Sequence, residues 1–114
     1  FFMYCEDTDL CWRLKKSGYK IIFSDKASII HNAGHAAKSK SPATARMLVE
    51  SCSVLWGKHY SMRTVKTLFI ILYLGSFIRK LIWLILSFTM ISDGKNMINY
   101  YQTMIKESMS YIKG

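Results

Sequence analysis

The chain has 114 residues and a formal net charge of +9, and its three cysteines include no CxxC pair. That count argues against a disulfide framework and a cysteine zinc site. No nucleic-acid-binding motif accompanies the positive charge, so an anionic membrane surface is the expected partner, not nucleic acid.

The charge is unevenly placed. Residues 1–45 carry seven Lys/Arg against four Asp/Glu, and residues 46–114 carry nine against three. The larger basic excess therefore shares its half of the chain with the most apolar stretch, Leu68 to Ile91. The chain opens on Phe1, not Met, and is expected to be part of a longer protein.

Phe1–Tyr4 reads as the end of a strand. Thr8–Ser17 reads as a short helix with Leu10, Cys11 and Leu14 on one face and an Asp9–Arg13 pair at i,i+4. Acids crowd its first turn and Lys15–Lys16 its last, as the helix dipole prefers. Gly18 stands where a left-handed C-cap is wanted. Tyr19–Ser24 and Ala27–His31 are rich in β-formers and are predicted as strands. Asn32–Pro42 reads as a loop. Ala43–Lys58 is predicted as a helix, with Leu48, Cys52 and Leu55 along one side. Thr64–Ile91 is nearly all apolar, with a polar strip every seven residues at Lys66, Tyr73, Lys80 and Ser87. A break is expected near Gly75–Ser76 and another at Asp93-Gly94. Asn96–Ile112 closes the chain as an amphipathic helix.

Two groups of residues carry candidate chemistry. Glu6, Asp7 and Asp9 stand together at a predicted helix start. They read either as caps and dipole partners, gaining about 0.3–1 kcal/mol each, or as a cleft rim where one carboxylate is a general base. His31 closes a predicted strand before a permissive turn. It reads as a structural or solvent-facing residue, or as a metal ligand. His35 and His59 have weaker cases.

The stretch FFMYCEDTDLCWRLKKSGYKIIFSDKASIIHNAGH resembles the carboxyl-terminal part of the catalytic domain of family 2 glycosyltransferases. The rhamnosyltransferase-like and galactofuranosyltransferase-like members are the nearest in kind. The residues that carry the likeness are Glu6-Asp7, Asp9-Leu10, Arg13, Gly18-Tyr19, His31 and Gly34, in the family's order. The resemblance implies an α/β fold, here part of a GT-A domain over residues 1–42. A connecting helix over 43–63 and a helical membrane-associated tail over 64–114 would follow.

The same likeness implies roles. Asp7 is the catalytic base, flanked by Glu6 and Asp9, and Arg13 orients the acidic loop. His31 helps to hold a divalent metal, Mn²⁺ or Mg²⁺, on a nucleotide sugar. The acceptor is a polysaccharide or lipid-linked glycan, and the sugar is transferred with inversion. The family's nucleotide-binding half and its Asp-x-Asp metal motif are missing from the sequence, so this segment is expected to be inactive by itself.

The apolar stretch is long enough to span a bilayer, but Arg79 and Lys80 near its middle would each cost roughly 2.5–3.5 kcal/mol there. An in-plane helix is expected instead, with Lys66, Arg79 and Lys80 on lipid phosphates and Trp83 at the interface of the cytoplasmic leaflet. The competing expectation, of a different class, is a non-catalytic membrane-associated protein whose acidic cluster only caps a helix.

Overall fold

A computed structural model describes residues 1, 3–28, 30, 40–88 and 93–114. Among these residues the ordered elements are four helices: α1 (Glu6–Lys16), α2 (Pro42–His59), α3 (Met62–Ser87) and α4 (Gly94–Lys113).

The helix ends follow local chemistry. α1 closes in a Schellman arrangement. Gly18 takes φ +84°, its N–H reaches the Lys15 carbonyl, and the Tyr19 N–H reaches that of Leu14. α2 opens on a reciprocal box in which the Ser41 Oγ accepts from the Thr44 N–H and the Thr44 Oγ1 accepts from the Ser41 N–H. Pro42 follows at the position where its missing N–H costs nothing. Ser61 caps α3 through the Thr64 N–H.

α3 and α4 pair as an antiparallel hairpin whose register is read from four contacts. A Cβ at Gly94 would lie 3.1 Å from that of Ser87, and the Lys80 Nζ donates to the Gln102 Oε1. The Ser76 Oγ lies 3.9 Å from the Met104 sulfur, and Phe69 stacks on Tyr111 with centroids 4.6 Å apart. α2 packs across this hairpin, mainly on α4. The core is Ala45, Val49, Val65, Phe69 and Met104. Phe69, fully buried, also meets Trp56 edge-on at 4.9 Å.

The expected α/β architecture, part of a GT-A fold, is corrected here. No strand occurs among the described residues. Tyr4 and Cys5 take φ of +72° and +65°, which turns the chain instead of extending it. Residues 19–24 form no ladder, and Ile22 and Phe23 are 80% and 95% exposed. β-forming residues make a strand only when a neighbour accepts their backbone hydrogen bonds and covers a face, and a lone segment has neither. Of the second predicted strand, Ile29 and His31 lie outside the described residues. The expected break at Gly75 is absent too. α3 runs through it, and the Arg79 Nη1 donates to the Gly75 carbonyl.

Candidate functional site

The acidic cluster falls on the first turns of α1, and its members have different surroundings. The chain enters α1 through two successive left-handed residues, Tyr4 and Cys5, a conformation costing roughly 1–3 kcal/mol at each non-glycine position. Contacts with α2 hold it. The Ser51 Oγ donates to the Met3 carbonyl at 2.5 Å, and the Lys58 ammonium lies 4.8 Å from the Phe1 ring centroid. Cys5 is the N-cap but supplies no side-chain cap.

Asp9 is the buried member, with 3% of its side chain exposed. Its Oδ2 accepts from the Arg13 Nε at 2.9 Å and from the Lys58 Nζ at 3.3 Å. Its Oδ1 lies 3.0 Å from the His59 Nε2. The His59 bond above all holds the carboxyl down to about 2. Burial pushes the other way, and the Arg13 and Lys58 bonds add to the depression. The imidazole is fixed by Trp12, stacked on it at 4.3 Å and 5° between planes, and Tyr60 meets Trp12 edge-on. The His59 Nδ1 is buried without a hydrogen-bond partner among the described residues. Lys58 and His59 occupy the last turn of α2, so the Lys58 ammonium that meets Asp9 also stands at the negative end of that helix.

This arrangement is a clamp between α1 and α2. A carboxylate that already accepts from three donors, and stays ionised down to about pH 2, makes a poor proton acceptor at neutral pH. Asp7 has different surroundings. It is exposed, and one oxygen accepts the Thr8 N–H at 2.7 Å. Glu6 is exposed as well. A cavity of about 540 Å³ runs along α1, lined by Thr8, Cys11, Trp12, Lys15, Lys16 and Ile21, and none of the three acids faces it.

The remaining sequence candidates are placed as follows. Arg13 is on Asp9, at the spacing of one helical turn. His31 and His35 lie outside the described residues. Among the described residues no three His, Cys, Asp or Glu side chains stand close enough to hold a metal ion. Lys66, Lys80 and Trp83 are half-buried and Arg79 is exposed. The seven-residue polar strip borders α4, with Lys80 on Gln102 and Ser87 against Gly94.

Sequence reasoning missed the roles of Lys58, His59 and Trp12. The available signal was Lys58 and His59 side by side at the close of a predicted helix, with no acid nearby in sequence to meet them.

Compared with known proteins, the chain matches no protein-family model, no curated protein and no solved structure. The resemblance to family 2 glycosyltransferases is therefore corrected. The described part of the motif stands on α1 and on unpaired segments without a sheet, and no family match supports it.

Proposed function

We propose that this chain works as a helical module lying on an anionic membrane surface, such as the cytoplasmic leaflet. The observation that carries the reading is the outer face of α3. Ile70, Ile71, Leu74, Phe77, Ile78, Leu81, Ile82, Ile85 and Phe88 are all exposed, Ile85 by 69% and Phe88 by 88%. α3 is long and apolar enough to cross a membrane, with only 11% of its most apolar window buried. At about 100° per residue these side chains share one half of the helix, and α4 covers the opposite half. Single exposed apolar residues need no explanation, but a continuous face marks a contact.

An in-plane position suits the charges. Arg79 falls about 140° from the centre of the apolar face, where a helix lying flat puts it beside headgroups. A spanning helix would carry it to mid-bilayer. Arg63 precedes the apolar face and is exposed. Each basic group near an anionic surface is worth about 1 kcal/mol, and each large apolar side chain fully removed from water about 1.5–3 kcal/mol. Asp9 and its cations, on this reading, hold α1 to the body and take no part in binding lipid.

Co-sedimentation with vesicles tests the reading. Binding is expected to phosphatidylglycerol vesicles, to weaken with salt or with neutral phosphatidylcholine, and to fall at least tenfold in Phe77→Glu/Ile82→Glu. If the double variant sediments like the parent, or lipid is ignored and a partner protein binds this face instead, the membrane role is wrong.

A second reading is sugar transfer from a nucleotide-diphosphate donor to a hydroxyl on a lipid-linked acceptor, with Asp7 as the base. What favours it is the contrast between the exposed Asp7 and the saturated Asp9. The test uses the longest natural chain containing this segment and a panel of nucleotide sugars. Asp7→Asn is expected to lose transfer and keep membrane binding. Equal transfer by the variant removes Asp7 from the chemistry.

A further inference from the structure

Where α2 ends, the three packed helices do not close on one another. They leave a half-open cavity of about 410 Å³ whose walls include Gly57, Tyr60, Val65, Lys66, Phe69 and Tyr111. That volume lies within the roughly 300–1,000 Å³ usual for small-molecule sites.

Its aromatic wall is fixed from behind. Phe69 is fully buried, held edge-on by Trp56 and stacked by Tyr111. Its mouth is kept open by a missing side chain. A Cβ at Gly57 would meet nothing within 4 Å. Glycine is a poorer helix residue than alanine, and no close helix approach demands it at this position.

Its rim carries one cation. Lys66 makes no ion pair among the described residues, whereas Glu107 is paired with Arg46 and Asp9 with Arg13, Lys58 and His59. The rest of the lining adds hydroxyls, from Ser53, Tyr60, Ser110 and Tyr111, together with the last residue, Gly114, and no Asp or Glu side chain. The cavity is also separate from the outer face of α3. Val65 and Phe69 point toward α2 and α4, and the exposed apolar side chains point away from them.

An apolar, aromatic-walled cavity with a single cation at its mouth fits a ligand with an apolar tail and one negative headgroup. We propose that this cavity binds one molecule of a single-chain anionic amphiphile, tail along Tyr60 and Tyr111, headgroup on Lys66. A carboxylate and a phosphate share that chemistry. A cationic amphiphile of the same length does not. The proposal does not rest on the membrane reading, because the two surfaces are distinct.

Titration calorimetry below the critical micelle concentration tests it, with the intact chain and four probes: dodecanoate, dodecyl phosphate, dodecanol and dodecyltrimethylammonium. One equivalent of an anionic probe is expected to bind, with Trp56 fluorescence changing in step. The tighter of the two anions identifies the headgroup. Gly57→Leu, whose Cβ has free space, adds bulk at the mouth and should weaken binding at least tenfold. Lys66→Gln should weaken the anions about fivefold or more and leave dodecanol unchanged. Helix content by circular dichroism checks both variants, and Gly57→Ala, a smaller plug, replaces Gly57→Leu if that one unfolds. Phe77→Glu/Ile82→Glu should keep dodecanoate binding while losing vesicles, which separates this site from the membrane face. The proposal is overturned by binding of several equivalents insensitive to Gly57→Leu, by equal binding of the cationic probe, or by no binding of either anion.

Discussion

The α1–α2 clamp and the outer face of α3 are opposites. At the clamp, one buried carboxylate meets Arg13, Lys58 and His59, and an aromatic ring stacks on the imidazole. Its polar demand is met within the chain, apart from the His59 Nδ1. On α3 a long apolar face meets nothing within the described residues. Of the candidate residues, Asp9 and Arg13 are spent on holding α1 to the body. The outer face of α3 is left to act on something else.

Substitutions sharpen the contrast in order of size. Phe69→Ala removes a fully buried ring at the junction of α2, α3 and α4. It should cost about 3–5 kcal/mol in denaturant unfolding. Ile85→Ala, on the outer face of the same helix, should change stability by no more than about 0.5 kcal/mol. Equal losses at the two positions would mean that the outer face is covered.

Asp9→Asn comes next. It keeps the volume but drops the charge that faces two cations and the imidazole. The expected result is a lower thermal midpoint and a red-shifted Trp12 emission, read in a background where Trp56 and Trp83 are Phe. Asp7→Asn, at an exposed position, should leave both unchanged.

Acid gives a graded version of that variant. The Asp9 carboxyl is held at about 2 in the folded chain against an ordinary 3.8. A depressed value favours the fold above the unfolded pKa. The contribution of Asp9 is therefore complete above about pH 4 and is lost as pH falls through about 2. Unfolding followed from pH 5 to pH 2 should show this loss, and Asp9→Asn should flatten it.

The smallest effect is kinetic. Cys11 is exposed, whereas burial, with the neighbouring Cys5 adding to it, pushes the Cys52 thiol up to about 12. Alkylation at pH 8 should label Cys11 first and Cys52 last, as mass mapping would show. Early labelling of Cys52 would mean that the N-terminal segment does not rest on α2.

Much of the helical framework was legible because its signals are local. Gly18 marks the end of α1, Asp93-Gly94 separates α3 from α4, and Asp9 and Arg13 are one turn apart. The strand at Tyr19–Ser24 was misread because β-formers such as Ile21, Ile22 and Phe23 state a preference that only a neighbouring strand can satisfy. Gly75 was misread as a break, although one glycine does not end a helix that the Arg79 side chain and α4 support. The site was the least legible part. Asp9 and His59 are fifty residues apart, and the packing of α1 on the end of α2 leaves no local trace. The sevenfold polar strip on α3 was visible, but its meaning depended on α4, which runs along it.

The central claim is that α3 lies flat with its outer face in the acyl region. Nitroxide labels at Ile70, Leu74, Phe77, Leu81 and Ile85, one per variant, measure this directly by oxygen and nickel-chelate accessibility on phosphatidylglycerol vesicles. A flat helix predicts a common shallow depth, about 5–10 Å below the headgroups, at all five positions. Depths that rise to a maximum in the middle and fall again would mean a spanning helix. Labels that stay water-accessible throughout would mean that the face belongs to a protein partner.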